Sequence, residues 1–175
     1  GLTAEEFKAL CDKSSLTISS THAAIQLDPT AQTATMDKWR ALFASLRTMG
    51  ASYCVMPGYS FGQTLEEVKA SCDYCNEVGA LAKEYGLMLG YHNHAFEFEK
   101  VEDRVVMLEY MRENTNPQYV FFQLDVYWTV MGGASPVEYM QKYAGRFEMI
   151  HIKDKYVAVN NSALLLQYQS RSLKS

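Results

Sequence analysis

Three of the four histidines in this chain fall in short apolar runs that end in side chains able to bind a metal or move a proton. The runs are Gly90-Tyr91-His92-Asn93-His94, Val120-Phe121-Phe122-Gln123-Leu124-Asp125 and Met149-Ile150-His151-Ile152-Lys153-Asp154. Imidazole and carboxylate make a mixed N/O donor set suited to a divalent ion such as Zn²⁺, Mn²⁺ or Co²⁺. Such an ion polarises a carbonyl and makes the neighbouring C–H acidic enough for a protein base to remove. Side chains alternate along a strand, so His92 shares a face with His94, Phe121 and Gln123 with Asp125, and His151 with Lys153. Glu97, just past the first run, and Lys153 are the candidates for proton transfer, although Glu97 is equally placed to cap the turn.

These runs need a scaffold that brings strand ends together, and the intervening sequence supplies one. Thr3-Ala-Glu-Glu6 is a capping box that opens a helix with Phe7, Leu10 and Cys11 on one face. Leu16–Ser20 reads as a strand leading into Ser20-Thr21-His22. A helix starting at Thr35 repeats Trp39, Leu42, Phe43, Leu46 and Met49 and closes at Gly50. Ala51–Met56 is a second strand, and Thr64-Leu-Glu-Glu67 is a second capping box, whose helix runs to about Tyr85 with Gly86 as its cap. The remaining strands are Leu87–His94, Tyr119–Asp125 and Phe147–Ile152, separated by helices over 103–113 and from Pro136, which Ser135 caps, to near Gly145. Strict alternation predicts an α/β chain of five parallel strands with right-handed crossovers. Residues 156–175 break the pattern: an apolar run gives way to a polar, Ser-rich end, with at most a short helix over 163–168.

Composition narrows the functional classes. The net charge is −4 and the basic residues are scattered, which speaks against a nucleic-acid partner. No run of eighteen apolar residues exists, so no membrane-spanning helix is expected. The first residues form a helix start instead of a signal peptide; a cytoplasmic location is the expectation, and an earlier signal in a longer parent stays open. Cys72 and Cys75 form a C-x-x-C, but in phase with Leu65, Val68, Val78 and Ala82 in mid-helix, which assigns them to core packing as reduced thiols.

The segments Gly-Tyr-His-Asn-His-Ala-Phe-Glu-Phe at 90–98, Gln-Leu-Asp-Val-Tyr-Trp at 123–128 and His-Ile-Lys-Asp at 151–154, with Gly-Gly-Ala-Ser-Pro-Val-Glu-Tyr-Met-Gln-Lys-Tyr-Ala-Gly-Arg at 132–146, resemble the sugar phosphate isomerase/epimerase family. The resemblance covers about residues 1–155 and implies a xylose-isomerase-like (β/α)8 TIM barrel. It is incomplete here, running from the second helix to the seventh strand, with a non-matching tail at 156–175. It implies a divalent metal held by one ligand from each of strands five to eight. Asp125 matches the sixth-strand ligand and His151 the seventh; on the fifth, His92 or His94 is favoured over Glu97. The eighth-strand carboxylate is missing, and a truncated or frameshifted gene is one explanation.

The implied activity is isomerisation or epimerisation of a sugar or sugar phosphate by proton abstraction next to a carbonyl. The alternatives are a metal-dependent hydrolase or lyase on the same barrel, or an inactive fragment. His22, Trp128, whose face can stack on sugar C–H groups, and Asp154 are the candidate substrate contacts. No Gly-rich phosphate loop supports phosphate recognition. A partial barrel also leaves sheet edges free for self-association.

Overall fold

The computed structural model describes residues 1–154. In chain order the elements are α1 (Ala4–Lys13), β1 (Ser20–His22), α2 (Gln32–Met49), β2 (Tyr53–Met56), α3 (Leu65–Glu84) and β3 (Met88–His92). A 3-10 turn at Phe96–Phe98 follows, then β4 (Lys100–Val101), β5 (Val105–Val106), α4 (Met107–Asn114), β6 (Val120–Asp125), α5 (Val126–Met131), α6 (Pro136–Lys142) and β7 (Phe147–His151). β1, β2, β3, β6 and β7 form one parallel sheet in that order. Each strand therefore lies beside its predecessor in the sheet. This single winding belongs to a barrel, whereas a doubly wound sheet reverses direction partway. The five strands and their helices form part of a TIM barrel.

Local chemistry explains most element boundaries. Both capping boxes form: Thr3 and Thr64 accept from the backbone N–H of Glu6 and Glu67, whose carboxylates reach back to the cap residue's own N–H. Gly50 ends α2 in the left-handed region at φ 81°, where a side chain would be strained. Ser135 caps α6, with Pro136 at its first turn. The core lies between the sheet's outer face and the helices. Cys54, Met56, Leu89, Tyr91, Val120 and Phe122 pack there against Trp39, Phe43 and Leu46 of α2, Val68, Cys72, Cys75 and Val78 of α3, and Leu108 and Met111 of α4. Trp39 Nε1 donates to Tyr74 Oη at 2.7 Å, and Tyr74 Oη donates onward to the Ile25 carbonyl at 2.9 Å. Cys72 and Cys75 are buried free thiols, and burial pushes Cys72 up to about 12.

Several sequence expectations are corrected. The first strand is Ser20–His22 instead of 16–20, because only those three residues reach pairing register with β2. The strand expected over Leu87–His94 ends at His92, so His94 leaves the alternation that was to align it with His92. The helix expected from Asp103 begins at Met107. Before it, Glu102 and Asp103 adopt positive φ in the three-residue loop of a short hairpin, β4–β5. A six-residue helix, α5, occupies the stretch after Asp125. On α1, Phe7 and Leu10 are exposed, and the helix buries none of its residues. The 163–168 helix and the tail assignment lie outside the described residues.

Candidate functional site

The inner face of the sheet carries the site at the strands' C-terminal ends. Its floor is Tyr53, whose ring meets Phe121 edge-on at 5.3 Å. Gly90 admits that floor, since a Cβ on it would lie 2.5 Å from Phe121 Cζ. Two residues further along, the register sets His92 opposite Gln123, and two residues beyond Gln123 it sets Asp125 opposite His151. A shift in register between Phe122 and Gln123 brings β7 into line for the second of these pairs.

His92, Asp125 and His151 each offer a ligand atom within 4.8 Å of the others. Asp125 is wholly buried and divides its oxygens. Oδ1 accepts from the Trp128 N–H at 2.9 Å and caps α5. Among the described residues Oδ2 has no hydrogen-bond partner, and neither has His151 Nδ1, though the two lie 3.2 Å apart. His92 Nε2 is 3.6 Å from the same Oδ2, and Lys153 Nζ is 3.8 Å from it. Two unsatisfied buried polar atoms side by side are costly unless something occupies the space between them. A tetrahedral site with bonds of about 2.0–2.1 Å spaces its ligand atoms about 3.4 Å apart, and the two carboxylate–imidazole distances bracket that value. The donor set and spacing therefore fit a divalent cation. Burial, against the opposing pull of the Gln123 hydrogen bond, pushes His92 down to about 4. The ring is then neutral near pH 7, the form a metal requires.

The other sequence candidates are placed around this trio. His94 lies in the turn past β3, its ring 5.0 Å from that of His92 and parallel to Phe96; burial lowers its pKa. It stands outside the His92–Asp125–His151 group. Glu97 is completely buried and faces the opposite way, with Tyr91 Oη donating to Oε1 at 2.6 Å and the His94 N–H to Oε2 at 2.7 Å. Burial pushes its carboxyl up to about 6 despite those donors. Lys153 Nζ sits 4.4 Å above the Trp128 ring, and the rings of Trp128 and His94 are 5.6 Å apart. With Gly58, Tyr59 and Phe96 these two rings line a cavity of about 500 Å³. His22 closes the near side at 5.3 Å from His92, ring to ring, and Asp154 is exposed beyond β7.

Two residues escaped the sequence analysis. Gln123 Oε1 lies 2.9 Å from His22 Nε2 and 3.0 Å from His92 Nδ1. Its position two residues before Asp125 on the same strand face was the available signal. Asn93 is buried and accepts the Asp125 N–H at 3.0 Å, tying the turn after β3 to the end of β6. A polar side chain between two histidines carries no pattern that would mark it.

Five parallel strands in sequential order, with ligand-type side chains at their C-terminal ends, define a partial TIM-barrel protein. The chain belongs to the xylose isomerase-like TIM barrel family, which it matches over residues 1–170. It is similar to a sugar phosphate isomerase/epimerase from Parabacteroides distasonis, 30% identical with a TM-score of 0.81, over 92% of this chain and 60% of that one. A second such protein from the same organism is 29% identical with a TM-score of 0.79, covering 96% of this chain and 70% of the other. An inosose dehydratase from Clostridium beijerinckii is 32% identical over 89 residues, 51% of this chain. That stretch spans only 29% of the dehydratase's own length.

Proposed function

We propose that this chain carries the metal-binding half of a sugar or sugar-phosphate isomerase or epimerase that removes a proton next to a carbonyl. The observation that carries the proposal is the convergence of Asp125 Oδ2 and His151 Nδ1, both buried and without a hydrogen bond among the described residues, with His92. These three residues would hold a divalent ion, Zn, Mn or Co. When bound, the ion would supply Lewis acidity toward a carbonyl and an adjacent hydroxyl.

The chain's own residues then divide the remaining work. Trp128 and His94 wall the cavity and offer aromatic faces to the C–H side of a sugar ring. Lys153, held over Trp128 and beside Asp125, exchanges a proton at Nζ with the substrate. Glu97 is sealed away from the cavity and acts through His94, whose backbone it anchors. His22 contacts the substrate at the mouth of the site. The similarity to a dehydratase favours a lyase as the second reading, since loss of water next to a carbonyl starts with the same proton abstraction.

Metal content of the purified chain, measured with Asp125→Ala and His151→Ala alongside, is the first test. Near-stoichiometric Zn, Mn or Co, lost in both variants, is expected. Solvent deuterium should then enter a ketose beside its carbonyl, and Lys153→Met should abolish that exchange while keeping the metal. Folded protein with no metal above background would withdraw the catalytic reading and leave an inactive fragment.

A further inference from the structure

A single carbonyl oxygen stands between two imidazoles of the site. Gln123 Oε1 is within hydrogen-bond distance of His22 Nε2 and His92 Nδ1, and an amide oxygen only accepts, so both ring nitrogens must carry hydrogen. The sense of the amide is set from its other end. Gln123 Nε2 lies 3.5 Å from Met149 Sδ, and a thioether accepts but has no hydrogen to give. Turned over, the amide would point its oxygen at sulfur and its N–H groups at the imidazoles, losing the Met149 hydrogen bond.

We propose that Gln123 is the positioning residue of the site, fixing His92 as the Nδ1–H tautomer and His22 as the Nε2–H tautomer. His92 then turns the lone pair of Nε2 toward Asp125 Oδ2, 3.6 Å away, where a metal ligand is needed. The same oxygen leaves the lone pair of His22 Nδ1 for a donor outside the pair, such as a substrate hydroxyl. Gln123 touches neither metal nor substrate; it acts through the two rings. The consequence for metal affinity rests on the function proposed above, whereas the tautomers do not.

The test is long-range ¹H–¹⁵N correlation of the histidine rings in metal-free protein, at a pH above the histidine range where the imidazoles are neutral. His92 should show Nδ1–H and His22 Nε2–H. The opposite tautomer at either ring in the unsubstituted protein overturns the proposal, whatever the variants do. Gln123→Met keeps the length and removes the acceptor, so His92 should lose its fixed tautomer and zinc affinity should fall about 10–100-fold. Gln123→Glu keeps an acceptor toward both rings and should retain the His92 tautomer, which a purely space-filling role would not require. A folded Gln123→Met protein with the His92 tautomer unchanged would also overturn it. Correct tautomers in a chain that binds no zinc would support the positioning role and sink only the metal reading.

Discussion

Asp125 carries two separable duties, one on each oxygen, and a pair of substitutions resolves them. Asp125→Asn retains an oxygen for the Trp128 N–H, and asparagine caps a helix about as well as aspartate. Asp125→Ala loses that cap, at a cost of about 1 kcal/mol. For a chain of this size, about 1 kcal/mol corresponds to a shift of about 2–4 °C in Tm. In the presence of a chelator, thermal unfolding followed by circular dichroism should therefore put the alanine variant at least that far below the parent, with the asparagine variant close to it. Zinc reverses the grouping. At about 100 times its Kd, a ligand adds about 2.7 kcal/mol to stability, or about 5–10 °C, to a protein that binds it. The parent should show that rise, and both variants should lack it, because each has lost the anionic Oδ2. Loss of an outer hydrogen bond already weakens metal binding by about 10–100-fold, so loss of a ligand should exceed about 100-fold in a chelator competition. An asparagine variant that kept zinc within tenfold, or lost as much metal-free stability as alanine, would refute the division of labour.

Three further outcomes are expected. Glu97 has its carboxyl raised by burial from 4.5 to about 6, so the folded state holds the proton more tightly than the unfolded state. Its contribution is fully present below about pH 4.5 and is lost as pH rises toward about 6, an effect on the order of 2 kcal/mol; Glu97→Gln should flatten that part of the urea-unfolding profile, and an unchanged profile would count against it. Tyr74→Phe strands both the Trp39 indole N–H and the Ile25 carbonyl, and should cost about 1–3 kcal/mol in denaturant unfolding. Gly90→Ala drives a methyl into the Phe121 ring and should cost about 1–3 kcal/mol, with Phe121 and Tyr53 ring resonances shifting in the NMR spectrum.

Much of the fold could be read from local signals. The capping boxes at Thr3 and Thr64, the glycine at 50 and the Ser135-Pro136 start depend on residues a turn apart, and all four form as expected. The ends of β1 and β3 were misjudged because a strand ends where its neighbour stops pairing, and a neighbour is not visible in local sequence. The β4–β5 hairpin was missed because Glu102 and Asp103 take positive φ without a glycine to announce it.

By itself the sequence determined which chemistry was available: imidazoles and a carboxylate at the ends of alternating strands, on a chain patterned for a parallel α/β barrel. Only the tertiary structure decided which atoms meet. It placed His92 with Asp125 and His151 and left His94 in the turn beyond. It split the Asp125 carboxylate between a helix cap and an oxygen without a hydrogen bond among the described residues, and it set Gln123 between two rings. The physical reason is that residue type and periodicity are local, whereas convergence depends on inter-strand register, and a one-residue shift like that between Phe122 and Gln123 changes which side chains face each other.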